Sequence, residues 1–427
     1  MLGNVLLLAR GMAAGRGLIW WDWYYGWTLV AVSFLTVGAA LGTRAAFGVL
    51  LVPLADALGS GRALASGALA LCALLSAVSS PPLGAALDRW GPQRVFAVAG
   101  LIAALGLALT ALSQTPWEVY LGLGGLVGVG LTPLRPQSMG VVISQWFVKR
   151  RGLALASVSS GIGLGVLVLA PVTQAVLGQA SWQAAFLMLA AVFALGVVPL
   201  NALLQRHRPE DCGLLPDGAQ RAPAGSGHAT GTTVREALHQ PRFWVLGVGL
   251  GLGAIPLNFV LAHGVAHLVD GGLSPQLVAT TLGLGGGLAA GAMLLWGLVA
   301  DRWGGAWAYT GGSLALMAAL VVLALVTRGR EPLLWLYVPL FALGFASRQG
   351  LVAFLVASVV GRRSLGALMG VVGALIALGT AVGPALGGWV YDHTGSYGWA
   401  FALSQGAAVL AVAGVWLSVR RTPQAGC

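Results

Sequence analysis

Three arginines of this 427-residue chain lie inside long apolar segments, where a positive charge is costly and can bind an anion. They are Arg44, Arg135 and Arg348. An arginine at the centre of a membrane-spanning helix costs roughly 2.5–3.5 kcal/mol on insertion scales, so it faces a bundle interior or a polar cavity. Its planar guanidinium can bind a carboxylate through two charge-assisted hydrogen bonds. These residues are therefore the candidates for contacting an anionic substrate.

The distribution of acidic residues favours this interpretation. All 12 Asp and Glu residues lie in loops or near the ends of the apolar segments. A buried cation that has no carboxylate nearby requires an anion from elsewhere, and a substrate is the simplest source. The alternative is that the guanidinium groups donate to backbone carbonyls and hold helices together. Around Arg135, Pro133 and Pro136 would interrupt a helix and expose such carbonyls.

The seventh apolar segment adds three polar side chains, Asn258, His263 and His267. We expect Asn258 to contact the substrate. Histidine titrates near neutral pH, and these two histidines, one helical turn apart, share a face of the helix. They are the candidates for proton coupling, and the alternative is that they are hydrogen-bonded structural residues near the membrane surface. No acid or cysteine beside them supports a metal site, and no cofactor is expected.

The composition is typical of a polytopic membrane protein. Hydrophobic residues make up 58% of the chain and charged residues only 8%, whereas soluble proteins contain about 25% charged residues. Long apolar runs recur, and in a bilayer such runs form helices because every backbone polar group must be bonded internally. The net charge of +11 fits basic loops on the cytoplasmic side of a membrane, and no nucleic-acid binding is expected.

We predict an all-α membrane protein with twelve transmembrane helices in two six-helix bundles. The predicted spans are 27–54, 63–86, 95–113, 117–146, 152–178, 183–204, 242–268, 276–299, 307–327, 333–359, 365–391 and 398–419. The predicted domain boundaries are an N-terminal segment 1–26, a bundle 27–204, a linker 205–240, a bundle 241–419 and a tail 420–427. Lys and Arg concentrate in the loops on the side of the linker, which predicts that both termini are cytoplasmic. We expect the membrane to be the inner membrane of a bacterium.

Landmark residues recur at a spacing of 213 positions, measured from 135 to 348. The pairs are Arg135 and Arg348, Asp88 and Asp301, Arg150 and Arg363, and Pro171 and Pro384. Two six-helix halves related by such a shift form the parallel repeat of major facilitator transporters. The sequence therefore predicts two pseudo-symmetric bundles, each with a buried arginine at the same place.

Two loop motifs strengthen the resemblance to major facilitator transporters. Residues 84–94 resemble the family signature G-x-x-x-D-R-x-G-x-x-R, and residues 297–304 carry a weaker copy at the repeat spacing. The resemblance implies that the first, fourth, seventh and tenth helices line a central cavity. It also implies a cytoplasmic latch, for which the candidates are Asp88, Arg89, Arg94, Asp301, Arg302 and Arg363. We expect the two aspartates to act with the first turns of the eleventh and fifth helices.

Other segments resemble the bacterial branch of the monocarboxylate transporter and oxalate–formate antiporter family. They are residues 25–27 (YGW), 146–154 (WFVKRRGLA), 181–186 (SWQAAF), 208–218 (RPEDCGLLPDG) and 243–244 (FW). The resemblance implies secondary active transport of a small organic anion, with a monocarboxylate as the expected substrate, by proton symport or anion exchange. The chain departs from the animal members, which carry an Asp and an Arg in the eighth helix and a lysine where Arg44 stands.

Two alternatives to anion transport are weaker. An efflux transporter of hydrophobic or drug-like compounds usually uses a buried acid, which the predicted spans do not contain. A non-transporting receptor or sensor on the same fold would need a signalling domain, and the tail after Leu417 is short. An enzyme is not expected, because no span combines a nucleophile, a base and metal ligands. The expected partners are the anion, a proton or counter-anion and the lipid bilayer, and the expected functional unit is a monomer.

Overall fold

The computed structural model describes residues 24–58, 62–218, 232–361 and 363–419, and nearly all of these residues are helical. Among them, eleven helices are long and apolar enough to cross a membrane, and one bent pair of helices completes a set of twelve. The predicted all-α membrane fold is therefore confirmed. Most of the predicted N-terminal segment 1–26, the tail 420–427 and the middle of the linker lie outside the described residues.

Six helices form each half of the chain. In the first half they are α1 (Tyr25–Ala57), α2 (Arg62–Trp90), α3 (Pro92–Ala111), α4 (Pro116–Trp146), α5 (Arg151–Gln179) and α6 (Trp182–Leu204). In the second half they are α7 (Pro241–Asp270), α8 (Pro275–Trp303), α9 (Gly305–Leu325), α10a (Leu333–Gly350) with α10b (Val352–Val360), α11 (Leu365–Thr394) and α12 (Gly398–Val419). Each predicted span coincides with one of these helices. We call the membrane side at which α6 ends and α7 begins the linker end.

The repeat is visible in the turns that connect the helices. Gly91 separates α2 from α3 with φ of 77°, and Gly304 separates α8 from α9 with φ of 95°. Positive φ is readily accessible only to glycine, so the two motif loops turn tightly at the same relative position. The tight turns place α2 beside α3 and α8 beside α9, with the motif loops at the linker end.

Close glycine contacts hold the helices of each half together. In the first half, a Cβ atom at Gly165 of α5 would collide with the backbone of Gly38 in α1. In the second half, a Cβ atom at Gly379 of α11 would collide with the carbonyl of Gly251 in α7. Small residues allow such close approach, which provides dispersion contacts where the hydrophobic effect is absent. Gly165 therefore allows α5 to pack closely against α1.

Both counterpart helices α4 and α10 are interrupted. Residues 132–135 of α4 are not helical, and the helix resumes as a segment that we call α4b (Pro136–Trp146). Pro133 and Pro136 explain the break, because proline lacks the N–H that would bond the carbonyl four residues earlier. In the second half, α10b is inclined by 41° to α10a. Arg135 lies within the first break, and Arg348 lies one turn before the second.

Substituting Gly165 tests the packing of the first half. Gly165→Leu should lower the midpoint of thermal unfolding in detergent, because overpacking costs about 1–3 kcal/mol and here the obstacle is backbone. Gly178→Leu is the matched control, since Gly178 lies on the same helix with no atom within 4 Å of an added Cβ. Equal midpoints for the two variants would contradict the role of this contact.

Candidate functional site

A cavity of about 110 Å³ lies within the first half, between α1, α2 and α4. A water molecule needs roughly 10–15 Å³ by this kind of measure, so the cavity has room for a small organic molecule. Its lining residues are Ala40, Leu41, Arg44, Phe47, Leu69, Cys72, Ser76, Leu131 and Arg135. The cavity therefore brings two of the three predicted arginines together.

Helical periodicity places Arg44 in this cavity. Ala40, Arg44 and Phe47 follow one another at intervals of four and three residues on α1, so they share one face of the helix. The Arg44 side chain is exposed. On α2, Leu69, Cys72 and Ser76 share a face in the same way and supply the opposite wall.

The break in α4 places Arg135. Its backbone is extended, with φ of −86° and ψ of 160°, as expected for a residue that precedes a proline. Its carbonyl accepts hydrogen bonds from the backbone N–H groups of Ser138 and Met139, both at 3.1 Å, in the first turn of α4b. Arg135 therefore stands at the positive end of the α4b dipole, which favours an anion near this residue.

The cavity provides no anionic partner for its arginines. No Asp or Glu lines it, and neither the Arg44 nor the Arg135 guanidinium makes a hydrogen bond to any residue in the described ranges. The Ser76 hydroxyl donates to the carbonyl of Gly128 at 2.8 Å. The remaining lining is mostly apolar. The cavity thus combines two uncompensated positive charges with an apolar wall.

Arg348 lies elsewhere, in the interior of the second half, where only 7% of its surface is exposed. Its Nε donates to the carbonyl of Gly253 in α7 at 2.8 Å, and its Nη2 donates to the Ser313 hydroxyl in α9 at 3.3 Å. Its Nη1 donates to the carbonyl of Gly344 at 3.2 Å and to the Ser347 hydroxyl at 3.3 Å. The structure therefore surrounds Arg348 with protein acceptors and does not bring it together with Arg44 and Arg135.

Asn258 lies between α7 and α11. Its side-chain amide donates to the carbonyl of Ala254 at 2.8 Å and to the Thr380 hydroxyl at 3.4 Å. The side chain is half-buried. Asn258 is therefore bonded to the helices of the second half and does not line the cavity of the arginines.

The two histidines of α7 are also bonded within the second half. Nε2 of His263 lies 2.8 Å from the carbonyl of Pro384, and its Nδ1 lies 3.3 Å from the Tyr397 hydroxyl. Nε2 of His267 lies 3.1 Å from the carbonyl of Leu323. A carbonyl can only accept, so Nε2 of each ring carries a proton. Nδ1 of His263 is then free to accept from Tyr397 when the ring is neutral.

Two aspartates join the halves at the linker end. Asp88 of α2 accepts hydrogen bonds from the backbone N–H groups of Gly366 at 2.9 Å and Ala367 at 2.8 Å, in the first turn of α11. Asp301 of α8 accepts from Gly152 at 2.5 Å and Leu153 at 2.8 Å, in the first turn of α5. Each carboxylate satisfies two N–H groups that have no partner within their helix and lies at the positive end of its dipole.

The arginines of the predicted latch are peripheral to these caps. The Arg89 guanidinium lies 6.0 Å from the ring centre of Trp90, and that of Arg302 lies 5.8 Å from the ring centre of Trp303. Arg94 and Arg363 are exposed. The pKa of Glu236 is lowered, first by its hydrogen bond from the Thr233 N–H and last by the nearby charge of Arg363. The structure therefore groups the two aspartates with helix starts, and the arginines with the surrounding surface.

Sequence reasoning missed two sets of residues. The first is the pair Cys72 and Ser76, which line the cavity from α2. Their spacing of four residues puts them on one helix face, but this indicates a cavity wall only when α2 is known to lie beside α1. The second is Asp217 of the linker, whose carboxylate accepts from the N–H groups of Val148 at 3.0 Å and Lys149 at 2.8 Å. Asp217 has a φ of 58° and is followed by Gly218. An Asp-Gly pair is typical of a turn, and this pair was the feature of the sequence that could have indicated its position.

Comparisons with known proteins agree with this architecture. A family model described as the Major Facilitator Superfamily matches residues 30–351. Monocarboxylate transporter 11 of Homo sapiens is 29% identical over 413 residues, which cover 94% of this chain and 84% of that protein. The solved structure of the human organic anion transporter MFSD10 (TETRAN) is similar with a TM-score of 0.66 at 19% identity, covering 92% of this chain and 99% of that chain.

A second solved structure is the proton:xylose symporter XylE bound to 6-bromo-6-deoxy-D-glucose. It is similar with a TM-score of 0.64 at 16% identity, covering 92% of this chain and 96% of that chain. At such identities these likenesses establish the fold alone. They confirm the predicted arrangement of twelve helices.

Neutralising Asp88 tests the caps between the halves. Asp88→Asn should destabilise the fold by about 1–2 kcal/mol, because the amide accepts at one oxygen only and opposes the second N–H with its own NH₂ group. Thermal unfolding in detergent measures the loss, and Asp301→Asn should behave alike. Asp392→Asn, at an exposed position near the opposite end, is the control. An Asp88→Asn protein that unfolds at the wild-type temperature would refute the capping role.

Proposed function

The chain belongs to the Major Facilitator Superfamily of membrane transporters, and we propose that it carries a small organic anion, with a monocarboxylate as the first candidate, by alternating access. One observation carries the proposal: Arg44 and Arg135 line one cavity that no carboxylate neutralises within the described chain. The similarity to monocarboxylate transporter 11 supports the same substrate class.

Binding of the anion places opposite charges together and buries an apolar chain. The carboxylate lies between Arg44 and Arg135, and hydrogen bonds to charged groups contribute about 1.5–3 kcal/mol each. The apolar part of the anion contacts Phe47, Leu69 and Leu131. The cavity volume of about 110 Å³ favours a short-chain acid over a long one. An organic cation would meet two like charges, which disfavours the efflux alternative.

The transport cycle uses the closed linker end. There the caps at Asp88 and Asp301 hold the halves together, and α10b lies against α4b through Ala353 and Gly140. The anion therefore enters from the opposite end and neutralises the arginines, which lowers the cost of enclosing them in a low-dielectric interior. The halves then rock against each other, and breaking the two caps opens the linker end.

The orientation and the coupling mode complete the proposal. The linker end lies on the cytoplasmic side of a bacterial inner membrane, because the basic loops are at this end. Coupling occurs by proton symport or by anion exchange. In symport, His263 is the candidate proton carrier. Its Nδ1 can bind a proton if the Tyr397 hydroxyl turns and accepts a hydrogen bond from it. In exchange, a second anion neutralises the cavity on the return step.

Uptake into proteoliposomes tests the function. We expect a panel of radiolabelled carboxylates to include at least one short monocarboxylate that accumulates in vesicles containing the protein and not in empty vesicles. An inward proton gradient distinguishes symport, which it stimulates, from exchange, which requires an internal anion instead. Uptake of organic cations without uptake of any carboxylate would refute anion transport.

Substituting Arg135 tests the site. Arg135→Gln should weaken anion affinity by about 10–100-fold, which corresponds to the loss of a charge-assisted hydrogen bond. Affinity is measured by protection of the Cys72 thiol, which lines the cavity, from N-ethylmaleimide. The background is Cys212→Ala and Cys427→Ala, so that one thiol remains. Arg44→Gln should act in the same direction, and Arg330→Gln, at an exposed position, is the control. Unchanged protection in the Arg135 variant would exclude this arginine from the site.

A further inference from the structure

We propose that Arg348 is a positioning residue that keeps α7, α9 and α10a in register during transport, and that it does not contact the transported anion. The inference rests on the proposed function, because it assigns Arg135 to anion binding and Arg348 to helix positioning within the proposed transport cycle. Arg135 and Arg348 occupy the same place in the repeat, so the division of roles is not expected from their positions alone.

The first support is that protein groups occupy all three nitrogens of the Arg348 guanidinium. Nε bonds α7 through Gly253, Nη2 bonds α9 through Ser313, and Nη1 bonds α10a itself. The guanidinium also lies 5.4 Å from the ring centre of Tyr309 in α9, within the range of a cation–π interaction. An arginine so engaged would have to give up several bonds in order to bind a substrate carboxylate.

The second support comes from the counterparts of these groups in the first half. The groups that hold Arg348 are Tyr309, Ser313 and Ser347, and the residues 213 positions earlier are Phe96, Gly100 and Leu134. The first half therefore lacks all three hydroxyl-bearing side chains. The counterpart of Gly253 is Ala40, which lines the anion cavity together with Arg135. The sequence thus provides acceptors for the arginine of the second half and omits them around the arginine of the first half.

The third support is the space made for this cluster. A Cβ atom at Gly253 would collide with the Tyr309 hydroxyl, and a Cβ atom at Gly312 would collide with the Ser347 side chain. Gly253 also lies in the turn of α7 before Pro256, whose missing N–H leaves the carbonyl of the neighbouring Leu252 without its helical donor. The Nε of Arg348 donates to the carbonyl of Gly253 and so connects this turn of α7 to α10a.

The position of the bend in α10 gives the cluster a role in transport. Arg348 lies one turn before the bend, and α10b beyond the bend lies against the first half, where Ala353 meets Gly140 of α4b. The Ser159 hydroxyl of α5 lies 3.5 Å from the carbonyl of Gln349. Arg348 therefore fixes the base of the segment that closes the linker end. Without it, α10b can move independently of α7, and movements of the second half no longer open and close this end as a unit.

The test separates affinity from turnover. Arg348→Lys keeps the charge, but its three N–H groups leave a single nitrogen and cannot reach the acceptors on α7, α9 and α10a that three separate guanidinium nitrogens serve. We expect its maximal uptake rate to fall about tenfold, while the carboxylate concentration that half-protects Cys72 stays within about twofold of wild type. Arg135→Lys should instead raise the half-protecting concentration, because Arg135 contacts the anion in the proposed site. A half-protecting concentration that rises about tenfold in Arg348→Lys, with an unchanged rate, would identify Arg348 as an anion ligand and overturn the proposal.

A second readout needs no ligand. In a cysteine-free background, we expect Arg348→Lys to accelerate N-ethylmaleimide labelling of Ala353→Cys by about fivefold, because the linker end opens more often. Unchanged labelling together with unchanged uptake would overturn the proposal. If no carboxylate protects Cys72 in the wild type, the proposed function fails, and this labelling still decides the role of Arg348. If Arg348→Lys does not fold, Ser313→Ala is the alternative variant, because it removes one acceptor of Arg348. It should show the same changes in uptake rate and labelling, but smaller. A Ser313→Ala protein that behaves like the wild type in both measurements would contradict the proposal.

Discussion

The cost of a positive charge in the membrane interior is the constraint on which the rest of this structure depends. A guanidinium that is removed from water must be bonded to protein acceptors or must remain at a polar cavity. The two halves of the chain solve the same problem in these two ways. In the second half, Gly253, Ser313 and Ser347 bond Arg348. In the first half, Arg135 joins Arg44 at a cavity that stays open.

The helical architecture follows from this division. The break in α4 gives Arg135 an extended backbone and places it at the positive end of α4b, whose dipole raises the positive potential near this residue. Glycines at the contacts of α1 with α5 and of α7 with α11 bring these helices close together. At the linker end the halves are joined by the caps at Asp88 and Asp301 and by close contacts of α2 with α11 and of α5 with α8. In the proposed cycle these contacts open, while the charges of the cavity stay in place.

Hydropathy, the 213-residue repeat and the motif loops were sufficient to predict the twelve helices and the partners of the two aspartates. The helices depend on local sequence, whereas the partners of the aspartates follow from the resemblance to major facilitator transporters, because Gly366 stands 278 positions from Asp88. The surroundings of Arg348 were not predictable in the same way, because its acceptors come from α7 and α9, and the hydroxyl of Ser313 stands 35 positions away. His263 also shows the difference: its helix was predicted, but the rotation of α7 that turns it toward Pro384 depends on packing against α11. The contribution of α2 to the cavity was likewise not predictable, because it depends on the positions of the helices in space.

Anomalous diffraction from the protein with a brominated short-chain carboxylate tests the central claim most directly, because bromine locates the anion without reference to any variant. We expect one bromine peak in the cavity of the first half, near Phe47 and Leu69, with the carboxylate between Arg44 and Arg135. A peak beside Arg348 in the second half, with the first cavity empty, would contradict it.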